Sequence, residues 1–599
     1  MWHLAETNRM PTPLTGARLI IKSRLPRPFP HPGLPASKPR FQKMHIETLE
    51  SRIAPAVTSS FAAGLLTIAG DDGANAITIG ETGAPGGYEV LGLDAGQTSV
   101  FSGVTAIVVK LLGGTDSLVF NGSSSDGSVL QKHLKISSTG ALTATINAYA
   151  NIGGTLALTH AGADTLNFTL TGEGITAGAM TIRDGAGSAQ VNVEARTAIA
   201  KNFVFTDGPG TGTSFVTVGG HVGGSVSLLS TASGSNDYSV RAALVGGGVT
   251  VAMQGANSHF LLENGSLVNG SVKVLSAGTG FSFVTLEDSV RVSGSLLVTA
   301  GATEDTVSLG GTIAGSVKVK LGEGFNSVRF SSGANVGGNV SMTSGTNEAD
   351  LNVDGTSIAG ALTLLAKKAA FADVDITNSN LGRLSLATGS GLETVSLIAV
   401  TIFGSLTAHL GDGDNLAEFS EVKATAFAYS GGEGNDIWSF SNFTTPGTIS
   451  FAAGDGNNSL GLSGGSAKGV KFTAGGGFDT AFLGFVSISG RTDIRVASGG
   501  SNVTMGDAIF TGAFSILGGE GTDALFVETA SDNFRGTEFV GPVWFKGGGG
   551  DDTVTLGLDS SDFVSFAAAV IFDGGPGSNT AINNFSNYLF LPKFVNFLV

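Results

Sequence analysis

The chain has 599 residues, of which 92 are Gly, 38 are Phe and none is Cys. Its formal net charge is −16, which argues against a nucleic-acid partner, and the lack of Cys excludes disulfides and thiolate metal sites. An apolar fraction of 41% supplies a core, while no apolar run is long enough for a transmembrane helix.

Residues 1–43 stand apart from the rest. They hold 8 of the 15 Pro and 8 Lys or Arg against one acid, Glu6, a local charge of +7. The remainder carries 24 basic against 47 acidic residues. A Pro-rich, basic segment without periodicity is expected to be disordered, and Leu19-Ile-Ile21 is too short for the apolar region of a secretory signal. Met44 is a candidate start; the alternative is a basic tail that binds an acidic surface. Residues 44–57 follow, and contain Leu49-Glu-Ser-Arg-Ile-Ala-Pro-Ala56. This element resembles the short N-terminal Leu-Glu-x-Arg-x-x-Pro-Ala sequence of large exported Gly-rich repeat proteins of planctomycetes and verrucomicrobia. The resemblance covers about a dozen residues. It implies export to the cell surface or the extracellular space, and no catalytic residues. An ordinary linker, or a short helix over the first coil, is the plainer reading of the same residues.

From residue 58 a repeat takes over. Gly294-Ser-Leu-Leu-Val298, Gly315-Ser-Val-Lys-Val319, Gly338-Asn-Val-Ser-Met342 and Gly360-Ala-Leu-Thr-Leu364 share one frame. Each begins with Gly, alternates apolar and polar residues, and alternates again after a Gly-rich or acidic turn. The frame starts 23 times between residues 64 and 568, with a mean spacing of 22.9 residues; the starts at 86, 105 and 425 match it least well. Alternation of period two means strands, and a fixed period in this range means stacked repeats. The expected fold is all-β: a right-handed parallel β-helix of about 23 coils over 58–583. At about 4.8 Å per coil it would be roughly 110 Å long. Val317, Val319, Val328 and Phe330 should point inward, and Lys318 and Arg329 outward. A β-sandwich array or a propeller would need hairpin turns or blades of ~40 residues. Residues 584–599, rich in Phe and Tyr, are expected to cover the open end of the last coil.

The motif closest to chemistry is Gly431-Gly-Glu-Gly-Asn-Asp436, with versions at Gly518-Gly-Glu-Gly-Thr-Asp523, Gly547-Gly-Gly-Gly-Asp-Asp552 and Gly574-Gly-Pro-Gly-Ser-Asn579. Looser forms are Gly411-Asp-Gly-Asp-Asn415 and Gly454-Asp-Gly-Asn-Asn458. These resemble the calcium-binding nonapeptide of RTX proteins, and Asp436, Asp523, Asp551 and Asp552 are the calcium ligands that the resemblance implies. Hard carboxylate and carbonyl oxygens suit Ca²⁺. RTX sites, however, need tandem nine-residue turns, whereas here the motif occurs once per coil. The competing reading is turn chemistry, in which Gly supplies positive φ and Asn or Asp bonds the local backbone. No other cofactor is implied.

An enzyme would need clustered acids, bases or metal ligands. The 8 His are scattered, and Lys367-Lys368 and Asp373/Asp375 read as solvated faces. The sequence therefore points to a noncatalytic, exported structural or adhesin-like protein, secreted or on the cell surface, with surface polysaccharide or surface proteins as partners. The alternatives are a carbohydrate-active parallel β-helix enzyme of lyase or tailspike type, and a calcium-dependent extracellular repeat protein.

Overall fold

The structure is a computed structural model that describes residues 56–598 except 96, 98, 124–128, 302, 530–535, 559–562, 585, 589 and 590. The basic tail and, apart from Ala56, the Leu49–Ala56 element lie outside the described residues.

Among the described residues the chain is all strand and turn, without a helix. It forms a parallel β-solenoid with three faces. One regular turn shows the plan: Val272–Ser276 lies on face A, Ser282–Leu286 on face B and Arg291–Val292 on face C. Each strand pairs in parallel with the equivalent strand one turn on, at Leu296–Thr299, Asp305–Leu309 and Thr312–Ile313. Along face A, 23 rungs can be followed from Leu65–Ala69 to Lys593–Val595. At roughly 4.8 Å per rung the stack is about 105 Å long.

The alternation fixes which residues form the core. Leu296, Val317, Val340 and Leu362 are register partners on face A, and all are buried. Lys318 lies between the inward Val317 and Val319, and is exposed. Val328 and Phe330 fill the face B columns, and Val292, Ile313 and Val336 a column on face C. Burying one such side chain is worth about 1.5–3 kcal/mol. Because its apolar neighbours sit on adjacent turns, that stability exists only in the stack.

Two places depart from the expected frame. The frame at 86 is not a coil. Tyr88–Leu91 pairs antiparallel with Ala76–Glu81 and with Val100–Phe101, and the next face A rung, Ala106–Lys110, pairs directly with Leu65–Ala69. Before it, Thr58–Ala62 folds back antiparallel on Leu65–Ala69 through Ala63 and Gly64, at φ 50° and 79°. Positive φ at both central residues is what a two-residue hairpin of this twist requires. This strand covers the edge of the first face A rung. At the other end, Lys593–Val595 pairs in parallel with Ile571–Asp573, so the aromatic stretch adds a rung, with Phe594 and Phe597 packed against the core.

Phe residues stack inside the later turns: Phe510, Phe539 and Phe566 lie face to face at 5.2 and 5.3 Å. Others, including Phe281, Phe283, Phe325, Phe478 and Phe482, are exposed on the surface.

Candidate functional site

Three of the four acids that the sequence singles out, Asp436, Asp523 and Asp552, lie on one line inside the solenoid, at the corner where face A turns into face B. The residue entering face B occupies the same position in every turn. Register places Asp116, Leu142, Leu166, Ala189, Ser214, Asn236, Ser258, Ser282, Asp305 and Asn326 there in succession. Ala349, Ala372 and Glu393 continue the line. Asn415, Asp436, Asn458, Asp479, Ser501, Asp523, Asp552 and Asn579 hold the equivalent position in the later turns and are likewise buried. Each Gly-rich motif, strict or loose, ends on this column.

An inward Asn closes its own turn. The Asn458 side-chain amide donates to Gly454 O at 3.4 Å and Gly456 O at 3.1 Å. Asn415 does the same to Gly411 O and Gly413 O, and Asn326 to Gly322 O and Gly324 O. These contacts satisfy carbonyls that the sharp turn would otherwise leave facing the core. Turn also bonds to turn: Asn415 Nδ2 donates to Asp436 Oδ1 at 2.7 Å, the Asp436 amide to Asn458 Oδ1 at 3.1 Å, and Asn458 Nδ2 to Asp479 Oδ1 at 3.0 Å. From Asn415 to Asp479, alternating Asn with Asp puts an amide next to each carboxyl and keeps carboxyls out of adjacent turns. Further on, the Asp523 amide donates to Asp552 Oδ1 at 2.9 Å and the Asp552 amide to Asn579 Oδ1 at 2.7 Å.

The motif's glycines follow from this packing. A Cβ on Gly431 would lie 1.8 Å from Asp436 Oδ2, so the first Gly makes room for the inward carboxyl. Gly434 has φ 137°, and a Cβ there would lie 2.2 Å from Gly413 O one turn away.

Burial sets the protonation of these acids. It pushes Asp436 up to about 6 against the hydrogen bonds from Asn415. Asp552 also rises to about 6, through burial first and then the charges of Asp523 and Asp551 against the Asp523 amide. Asp523 and Asp479 are raised for the same leading reason. Asp305 reaches about 6. Glu393 goes furthest, to about 8: burial outweighs the pull of the nearby Gly391 amide, and the charge of Asp436 adds to the rise.

Of the four residues that the RTX-like motifs single out, Asp436, Asp523 and Asp552 are thus inward, one to a turn. Asp551 alone is on the outer surface, where it accepts the Ser578 amide at 2.7 Å. Among the described residues no three His, Asp or Glu side chains form a group that could hold a metal ion. The column was open to sequence reasoning through the Gly-x-Gly-x-Asn spacing, which sets the amide two and four residues after the carbonyls it bonds.

A second buried polar group lies near the same corner, at residues 138–230. His160 Nδ1 contacts Asp184 Oδ1 at 2.5 Å and its Nε2 contacts Gly140 O at 2.9 Å. Burial opposes charging of the ring, but Asp184 and the Gly140 carbonyl raise His160 above its ordinary value. Asp207 accepts from Ser214 and from Ser230. These side chains are enclosed.

Outward acids do gather at one place. Asp350 and Asp373 are register partners on face B, and Asp375 follows two residues on. Asp373 is raised by partial burial first, then by the charges of Asp350 and Asp375. Asp350 also accepts the Ser327 hydroxyl at 2.8 Å.

Among the described residues no helix is long and apolar enough to cross a membrane. Comparisons with family models, curated proteins and solved structures found no match.

Proposed function

We propose that the chain is a noncatalytic structural rod, exported and held at the cell surface or in the extracellular matrix. One observation carries this reading. Among the acids of the Gly-rich turns, Asp412, Glu433, Asp455 and Asp551 are exposed, but Asp436, Asp523 and Asp552 face inward, and each accepts a hydrogen bond from the preceding turn. They hold turns together, and the regular stack they support is about 105 Å long. The Leu49–Ala56 element supports export. Surface polysaccharide or other surface proteins are the partners that suit such a rod.

A carbohydrate-active β-helix enzyme is the second reading, favoured by the outward Asp350, Asp373 and Asp375. One experiment separates the two. The full chain is incubated with mixed acidic and neutral polysaccharides, and released sugar is measured alongside immunogold localisation in the source cells. A rod gives surface labelling and no sugar release. Release that disappears in Asp373→Asn would overturn the rod reading.

A further inference from the structure

We infer that the groove between Lys468, Lys471 and Arg491 is a binding site for an acidic polysaccharide, one carrying carboxylate or sulfate groups. The groove lies where face C turns into face A, on three successive turns. Thr448, Lys468, Gly469, Lys471, Arg491 and Asp493 line it, around a volume of about 320 Å³.

Its charge runs against its surroundings. From residue 425 to the end the chain holds 7 basic and 16 acidic residues. Four of those seven, Lys468, Lys471, Arg491 and Arg495, meet here around one acid. That acid is occupied: Asp493 accepts from Arg491 Nη2 at 3.1 Å, Arg495 Nε at 3.0 Å and Ser515 Oγ at 2.7 Å. Burial alone would raise Asp493, but Ser515 and the two guanidinium groups bring it below its ordinary value. Asp493 therefore fixes both arginines in place and cancels only one of their charges. Lys468 and Lys471 are exposed and have no ion-pair partner among the described residues. Register sets Lys471 between Ser450 and Asp493 on the flat outer side of face A, and Arg495 beside Thr473, so Lys471 and the two arginines that flank Asp493 lie on adjacent turns about 4.8 Å apart. A linear polymer with closely spaced anions can lie across these two turns. Duplex nucleic acid suits the groove less, because the acids of the neighbouring turns would meet its phosphates.

This inference rests on the reading of the chain as a surface rod, and its test separates the two. The full chain is passed over immobilised polygalacturonate, dextran sulfate, neutral dextran and single-stranded oligodeoxythymidine, and reducing ends are assayed in the same samples. The groove predicts salt-sensitive binding to polygalacturonate, dextran sulfate or both, and none to dextran; the arm that binds identifies carboxylate or sulfate as the ligand. Lys468→Gln with Lys471→Gln should weaken binding about tenfold, the combined effect of two exposed ion pairs. Lys318→Gln with Lys320→Gln removes two exposed charges from the same face elsewhere and should leave binding unchanged. Equal loss in both double variants would overturn the groove, as would tighter binding to the oligonucleotide or no binding at all. Binding accompanied by release of reducing ends would support the groove and sink the noncatalytic reading.

Discussion

The turns around residues 142–189 and those from 411 onward share one fold and one register, yet build the same corner in opposite ways. In the first group Leu142, Leu166 and Ala189 fill the column, and the nearby Gly162, Gly185 and Gly187 have no positive φ. In the second, Asn415, Asp436, Asn458 and Asp479 fill it, and Gly411, Gly413, Gly434, Gly454, Gly456 and Gly477 are all at positive φ. An apolar side chain can occupy the corner when the turn directs its own carbonyls elsewhere. Where a tight glycine turn aims two carbonyls inward, as before Asn415 and Asn458, the column supplies an amide donor to meet them. The Gly-rich motif is therefore a turn together with its internal partner.

The largest expected effect tests the stack common to both groups. Val317→Asp places an unpaired carboxylate in a column between Leu296 and Val340, at a cost of several kcal/mol, about 3 or more. Lys318→Asp, on the outer side, should cost under about 0.5 kcal/mol. Limited proteolysis should find the Val317→Asp cleavage near residue 317 before any near 500, because each turn leans only on its neighbours. Equal tolerance of the two changes would mean that the inward and outward faces are exchanged.

Exchanging the two corner designs is the next step down. Asn458→Leu makes this position apolar, as at Leu166, but strands Gly456 O and the Asp436 backbone N–H, and leaves Gly454 O and Asp479 Oδ1 with one backbone donor each. It should cost about 2–3 kcal/mol in urea unfolding of the later turns. A neutral result would show that the glycine turn does not need its amide.

The acids make the later turns pH-sensitive with a definite sign. Glu393 is neutral in the folded rod up to about pH 8, against an ordinary value of 4.5. Its folded value is raised, so its contribution is complete below about 4.5 and is lost as pH climbs through about 8. Asp305, Asp436 and Asp552 act likewise between 3.8 and about 6. Glu393→Gln should raise stability at pH 8.5 by about 1–3 kcal/mol and change little at pH 4.5. A gain confined to acid pH would refute the assignment. The smallest effect belongs to the tail: deletion of residues 1–43 should leave the melting temperature unchanged, and a fall of several degrees would mean that the segment packs on the rod.

The fold was legible because period-two alternation and a 23-residue spacing are direct images of strands and turns. Val317 and Lys318 were assigned to opposite faces from that alone. Alternation identifies a strand but not its partner, which is why Tyr88-Glu-Val-Leu91 read as a parallel rung and is an antiparallel excursion. The column was harder to see. Asp436 and Asp523 follow four to five residues of Gly-rich turn, and such text suits an outward ligand as well as an inward hydrogen-bond partner. Only the register over several turns distinguishes the two. The exposed Phe residues were hidden for a related reason, since composition counts Phe without saying which way each one points.

The difference between the two corner designs can be put to one measurement. The triple variant Asp436→Asn, Asp523→Asn, Asp552→Asn and the unaltered chain are melted with millimolar Ca²⁺ and with chelator at pH 7.5. If the carboxyls are internal turn partners, Ca²⁺ leaves both melting temperatures unchanged. The triple variant should then melt no lower than the parent, because Asn in this column bonds the turn carbonyls as Asn415 and Asn458 do. A Ca²⁺-dependent rise of several degrees in the parent, absent from the triple variant, would mean that these acids bind the ion and that the column is a metal site.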